Sequence, residues 1–278
     1  MKGRIRVKKT KFCLSLLLLL AISGLMIMNP QEVYAKTISP SFTGIVKSDG
    51  KYYYYQKGKL IKNKIITVKE KNDAKYLKYV YDLSAEDGQV LRKTTYKTNG
   101  DIVYKWYDAE KLANERAKNI MGTLSKQYKN TYKKNPNKIQ KLQLAWAYST
   151  KYAKTIKKKS NGLLNGFQYQ FNEPSRKDKE WRAQYAVYMY EQGNGRCYSF
   201  ACSFGYLARA SGYQNARIYV GETQRSNGSG YTPHAWVTIE MKNVHYYFDP
   251  QQKNKHPNKN FYMMKNGVGG IGYYRGEY

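Results

Sequence analysis

The sequence predicts an α+β protein, and three observations carry that reading. Residues 37–107 hold short β-branched and aromatic runs punctuated by Asp-Gly and Asn-Gly dipeptides. From Asp108 the apolar residues recur at helical spacing instead, through to Glu191. Beyond Gly212 short alternating runs return, at 216–220, 235–239 and 245–248. The expected order is a small β-rich region, a set of helices, and a terminal antiparallel sheet.

The chain opens with Lys2, Arg4, Arg6, Lys8, Lys9 and Lys11, followed by an apolar run from Phe12 to Met28 and small residues at Val33-Tyr34-Ala35. That is the layout of a secretory signal peptide, with cleavage expected after Ala35. The run is about seventeen residues long, so an uncleaved membrane anchor is the competing reading. No later stretch is apolar enough to span a bilayer. The expected product is an exported protein, secreted or held at the cell surface or wall. Its roughly 240 residues suffice for one large or two modest domains.

Residues 36–107 are expected to form the β-rich N-terminal region. Thr43 to Val46 and Tyr52 to Tyr55 flank Asp49-Gly50, and Thr94 to Tyr96 and Ile102 to Tyr104 flank Asn99-Gly100. Both dipeptides suit tight hairpin turns, and Asp87-Gly88 is a third candidate. The unit from Gly44 to Gly58 resembles a single Gly/Tyr-rich wall-binding repeat of bacterial surface proteins. Such repeats work in arrays, so an ordinary β region packed on the next domain is the preferred reading.

Residues 108–278 are expected to form the second domain. Asp108 can cap a helix whose face carries Ala113, Ala117, Ile120, Leu124 and Tyr128. After the break at Lys133 to Asn137, Asn137 can cap a second helix with Ile139, Leu142, Trp146, Ala153 and Ile156 on one stripe. Residues 157–168, with two Asn-Gly pairs, read as a loop, and a third helix spans about Lys179 to Glu191. Residues 197–211 read as a helix stopped by Gly212, with Phe200, Phe204 and Leu207 together. Arg225 to Thr232 reads as a polar loop between strands.

Three short segments carry the chemistry: Gly193-Asn194-Gly195-Arg196-Cys197, Pro233-His234-Ala235-Trp236 and Tyr247-Phe248-Asp249-Pro250. The two glycines provide backbone freedom for a sharp turn just before Cys197. The cysteine then falls at a helix N-terminus, where backbone N–H groups and the helix dipole favour a thiolate. Its own amide can hold an oxyanion; a second donor is needed, and Gln192 is a candidate by position. Of the three histidines, His245 and His256 lie in an aromatic strand start and a polar segment, whereas His234 begins a strand after a flexible loop. Pairing of 235–239 with 245–248 across Met241 to Val244 would place residues near 234–236 opposite Asp249. Cys197, His234 and Asp249 are therefore the candidate nucleophile, base and orienter.

Cys202 sits inside an apolar helix with no turn before it and reads as a packing residue. Five residues along one helix separate the two cysteines by about 7.5 Å of rise, a poor geometry for a disulfide. A metal site from Cys197, Cys202, His234 and His245 lacks any CxxC or HxxxH spacing, and no phosphate-cradling loop is present. No metal or cofactor is expected.

The ordered set Gly195-Arg196-Cys197-Tyr198-Ser199-Phe200-Ala201, Gly212-Tyr213, His234-Ala235-Trp236 and Phe248-Asp249-Pro250 resembles the transglutaminase-like superfamily over residues 140–255. The resemblance implies a papain-like α+β core, with the cysteine on a helix packed against an antiparallel sheet carrying His and Asp. It implies Cys197 as nucleophile, His234 as base and acid, and Asp249 as orienter. Arg196, where many relatives have a small apolar residue, and the basic, Asn-rich segment after Asp249 depart from the family pattern; both bear on substrate rather than chemistry. The superfamily includes cross-linkers, deamidases, peptidases and inactive members. The expected function is thus an exported cysteine acyltransferase or amide hydrolase acting on protein or peptide substrates. The alternative is a surface- or wall-binding module with a vestigial triad.

The formal charge of +30 falls to about +25 once the six cations and one anion of residues 1–35 are set aside. Cations spread along the chain with no nucleic-acid motif argue against a specific nucleic-acid partner. They suit a solvated basic surface or adhesion to anionic wall polymers.

Overall fold

The structure is a computed structural model, and it describes residues 38–68, 76–151, 154–155, 160–164, 167–171, 174–225, 228–266 and 274–277. The signal-like segment lies outside the described residues. The fold is mixed α+β, and the chain divides into two compact units, residues 1–61 and 62–278.

In the first unit a three-stranded meander is built from β1 (Gly44–Ser48), β2 (Lys51–Gln56) and β3 (Lys59–Leu60). Asp49 and Gly50 both take positive φ, 48° and 75°, which matches the twist of the flanking strands and sets Ser48 opposite Lys51. Tyr54 and Tyr55 are buried.

The second unit begins with an antiparallel sheet of β4 (Ile65–Val68), β5 (Tyr76–Leu83), β6 (Val90–Lys97) and β7 (Ile102–Trp106), in that order. The Asp87-Gly88 and Asn99-Gly100 turns connect its last three strands. Asp108 caps α1 (Ala109–Tyr132) by accepting from the Lys111 amide at 2.8 Å. The buried stripe of α1 is Ala109, Leu112, Ala113, Ala117 and Met121; the expected Tyr128 lies beyond it and stacks on exposed Tyr132 instead. At the start of α2 (Lys138–Lys151) a reciprocal capping box forms. The Asn137 amide donates to Gln140 Oε1 and the Gln140 amide to Asn137 Oδ1, both at 2.9 Å. Leu142 and Ala145 of α2 are buried, whereas Ile139 is exposed; Ala153 and Ile156 lie outside the described residues.

Residues expected to form a loop contain strands. After β8 (Lys154–Thr155), β9 (Ser160–Leu164) and β10 (Phe167–Phe171) pair antiparallel, Leu164 opposite Phe167. An Asn-Gly pair flanked by apolar residues marks a hairpin as readily as a loop. Helix α3 (Trp181–Gln192) leads through the short strand β11 (Asn194–Gly195) into α4 (Cys197–Ala210). The terminal sheet has the order β14-β13-β12-β15, from β12 (Arg217–Gln224), β13 (Tyr231–Met241), β14 (Val244–Phe248) and β15 (Tyr274–Glu277). A short helix, α5 (Pro250–Lys255), follows β14. Neither α5 nor β15 is anticipated by the sequence reading.

Helix α4 is the centre of the unit: every residue from Ser199 to Ala208 is buried, the signature of a helix enclosed on all sides. Phe204 packs on Trp146 and Phe248 at ring-centroid distances of 5.4 and 5.3 Å. Gly205 admits Ile218 of β12 so closely that a Cβ there would stand 2.5 Å from its Cγ1. Because Phe204 is fully buried, Phe204→Ala should destabilise the protein by about 3–5 kcal/mol. Equilibrium urea unfolding measures this, and a loss below about 1 kcal/mol would contradict the packing described.

Candidate active site

Helix α3 ends at Gln192, and Gly193 closes it in the left-handed conformation, φ 65°, with its N–H donating to the Met189 carbonyl at 2.9 Å. The expected pair of flexible glycines divides into two roles. Gly193 supplies the positive φ. Gly195 does not; it supplies room, because a Cβ on it would lie 2.3 Å from the Ser199 Cβ in the first turn of α4. Asn194 and Gly195 pair in parallel with Lys154 and Thr155, which fixes the approach to the helix. Arg196 then takes an extended N-cap conformation without a side-chain capping bond, and Cys197 is the first helical residue. Cys197 is half-buried, with its thiol at the positive end of a fourteen-residue helix.

His234 and Asp249 arrive from the sheet. Their strands β13 and β14 pair with Val237 opposite Phe248 and close through the two-residue turn Lys242-Asn243. Continuing that register places Asp249 opposite Trp236, diagonal to His234. The His234 Nε2 and Asp249 Oδ2 atoms are 2.6 Å apart, with His234 4% exposed and Asp249 fully buried. Nε2 is thus committed to the carboxylate, and Nδ1 is the ring nitrogen that remains for another partner. Burial works against the charged imidazole; the Asp249 charge and hydrogen bond outweigh it, helped by Cys197, and raise the His234 pKa to about 10.

Asp249 has further partners that the sequence reading missed. Its Oδ1 accepts from the Gln252 amide at 2.9 Å, so it caps α5, with Pro250 at the first helical position. The Tyr274 hydroxyl donates to Oδ2 at 2.9 Å. The signal for the cap is legible as Asp-Pro, an N-cap followed by the one residue that starts helices without needing its N–H. Nothing near Tyr274 in sequence points to Asp249.

Beside Cys197 stands an aromatic wall. Trp181 meets Tyr198 edge-on at 5.9 Å, Tyr185 lies 5.8 Å from Tyr198, and the exposed Arg176 guanidinium sits 4.6 Å over the same ring. Burial, and secondarily the Cys197 charge, push the Tyr198 phenol up, opposed by Arg176. Cys202 lies at the core of α4, fully buried, and burial pushes its thiol well up. His245 is exposed near Glu240, and His256 ends α5 against Phe261; neither joins Cys197. Gln192 closes α3, and its carbonyl accepts from the Asn194 side chain at 3.1 Å. Among the described residues, no three His, Cys, Asp or Glu side chains converge as metal ligands.

A network of ion pairs centred on buried Arg92 and Asp82 braces this corner. Arg92 of β6 donates through Nε to Asp82 at 2.8 Å and through both terminal nitrogens to Glu191 of α3, at 2.9 and 2.7 Å. Arg116 of α1 donates to the other Asp82 oxygen at 2.9 Å. The sheet of residues 65–106 is thereby clamped to the last turn before Gly193.

The pKa shift has a signed consequence for stability. A histidine raised from 6.5 to about 10 on folding contributes stability that is fully present below about pH 6.5 and is lost as pH rises through about 10. The melting-temperature difference between the wild type and His234→Gln should therefore be largest at the acid end of that window and shrink across it. Differential scanning calorimetry reads the trend, and a gap that widens with pH would overturn the assignment. Gly195→Ala should cost more stability than Gly122→Ala, because neither takes positive φ and of the two only Gly195 has a neighbour, the Ser199 side chain, in the way of a Cβ; thermal unfolding of the two variants measures the difference.

A search of curated proteins finds no match to the chain. Residues 143–250 match the family described as the transglutaminase-like superfamily. That span holds α4 with Cys197 at its head and the strands that lead to His234 and Asp249. Over residues 143–250 the chain is therefore similar to the transglutaminase-like superfamily.

Proposed function

We propose that the protein is a cysteine-dependent acyltransferase or amide hydrolase in which Cys197, His234 and Asp249 act together. The observation that supports this reading is the 2.6 Å contact between His234 Nε2 and the buried Asp249 carboxylate, with Cys197 close enough to the same imidazole to help raise its pKa. In the first half-reaction the Cys197 Sγ attacks the carbonyl carbon of an amide. The C–N bond breaks, the imidazolium gives its proton to the departing nitrogen, and a thioester remains on Cys197. In the second, neutral His234 takes a proton from an amine or water as it attacks the thioester carbonyl; the C–S bond breaks, Cys197 leaves as the thiolate beside the imidazolium, and a new amide or an acid is released. Asp249 holds the imidazole with Nδ1 towards sulfur in both halves. The amide of Cys197, at the helix N-terminus, is suited to hold the oxyanion.

Peptide or glutaminyl amides are the proposed acyl donors. The wall of Tyr198, Trp181 and Arg176 supports this, since aromatic faces accept a side chain or peptide plane and the guanidinium attracts a carboxylate. Export is proposed from the basic, apolar and small-residue order of residues 1–35. Adhesion to anionic wall polymers is proposed from the excess of cations. Among the described residues no helix is long and apolar enough to cross a membrane.

Incubation with iodoacetamide followed by mass spectrometry should label Cys197 and spare Cys202, whose thiol is fully buried. Equal, slow labelling of both would favour a binding module with a vestigial site. Cys197→Ala should lower turnover by about a thousandfold or more, whereas Cys202→Ala should leave it within about tenfold. Casein or wall peptides incubated with a labelled primary amine sort the reaction: incorporation marks transfer, ammonia alone deamidation, and new termini proteolysis.

A further inference from the structure

Tyr274 lies beyond the family-matched segment, yet its side chain enters the same buried cluster as His234 and Asp249. Its hydroxyl donates to Asp249 Oδ2, the same oxygen that His234 Nε2 meets. Burial and the Asp249 charge push its phenol well up, so it stays a donor. Its ring stacks against His234, at 6.4 Å between centroids, and lies 5.0 Å from Trp236 and 5.6 Å from Tyr247.

The backbone that delivers Tyr274 is tightly determined. β15 pairs antiparallel with β12, setting Tyr274 opposite Thr223 and Gly276 opposite Gly221. A Cβ on Gly276 would fall 2.7 Å from the Gly221 Cα and 2.6 Å from the Val220 carbonyl oxygen, so only glycine permits this approach. On the other side the Asn266 side chain copies a strand partner. Its Oδ1 accepts from the Tyr274 amide at 2.9 Å, and its Nδ2 donates to the Tyr274 carbonyl at 3.1 Å. Asn266 follows Met264, which forms a two-way backbone bridge with Tyr247 of β14, next to Asp249. The phenol is therefore held from both edges of the sheet.

We propose that Tyr274 is a positioning residue for Asp249: its O–H fixes the carboxylate in the orientation that keeps His234 Nε2 directed at oxygen and Nδ1 directed at Cys197. The proposal rests on the Cys-His-Asp reading above. A carboxylate with one donor on Oδ2 can rotate about its Cβ–Cγ bond and carry the imidazole with it; a second donor on that oxygen, together with the Gln252 amide on Oδ1, opposes the rotation. The ring packs on His234 and limits its swing in the same direction.

The test is the rate of Cys197 alkylation by iodoacetamide as a function of pH, followed by mass spectrometry on folded protein whose fraction is fixed by circular dichroism. Tyr274→Phe keeps the ring and removes the O–H. It should slow alkylation at neutral pH by about tenfold or more and change the shape of the rate–pH profile relative to wild type. Tyr247→Phe is the control, since Tyr247 stacks on Tyr274 at 5.6 Å without a bond to Asp249; it should leave the profile unchanged. His234→Ala separates the two levels of the argument. A profile sensitive to His234→Ala but identical for Tyr274→Phe and wild type would overturn the role of Tyr274 alone. A profile indifferent to His234→Ala would overturn the triad itself. Equal slowing by Tyr274→Phe and Tyr247→Phe would assign the effect to loss of any hydroxyl in this aromatic cluster and overturn the specific role of the Tyr274–Asp249 bond.

Discussion

A carboxylate removed from water needs hydrogen-bond donors, and the Asp249 carboxylate is fully buried. Its donors come from three separate elements: the imidazole of His234 on β13, the hydroxyl of Tyr274 on β15 and the Gln252 amide in the first turn of α5. Leaving any one of them out would strand a lone pair in an apolar surround, at a cost comparable to a lost charged hydrogen bond. The strands on either side of the sheet and the short helix therefore share one electrostatic requirement. The site geometry follows from it, because the imidazole that satisfies Asp249 is the one that faces Cys197.

Cys197 is held by different means. Helix α4 is fixed by burial on all sides, and its start is fixed by the contact between Gly195 and Ser199. The approach to it is braced through Glu191, whose bidentate bond to buried Arg92 closes an ionic chain that also includes buried Asp82 and the more exposed Arg116. Burial acts against the Arg92 charge, and Glu191 and Asp82 together overcome it. Breaking such a chain leaves uncompensated charge in the interior. Cys197 thus sits between two polar assemblies, one behind the helix start and one in the sheet.

Much of this was legible in the sequence. Gly193 before Cys197, the Asp-Gly and Asn-Gly turns, the Asp108 and Asn137 caps and the pairing that brings His234 near Asp249 all express local rules of turn chemistry and strand register. What escaped depended on space or on distant partners. Gly195 reads as a flexible residue, but its reason is the nearness of Ser199, which a linear sequence does not display. Asp249-Pro250 reads as a strand end and a break, although the same pair is a helix cap and first turn. The hairpin at 160–171 was hidden by Asn-Gly pairs that mark loops and hairpins alike. Tyr274 was invisible because its contact with Asp249 spans twenty-five residues and depends on an edge strand whose pairing no local pattern announces.

The Lys242-Asn243 turn, where both residues take positive φ, 52° and 59°, has a role out of proportion to its distance from the chemistry. Lys242 lies eight residues after His234 along β13, and Asn243 six before Asp249, just past the end of β14. The hairpin therefore works as a ruler with its zero mark at the far end of the sheet. Inserting or deleting a single residue there would slide one strand by about 3.3 Å and turn its side chains to the opposite face. His234 and Asp249 would be separated without either being touched. Length at this remote turn is under the same constraint as identity at the site.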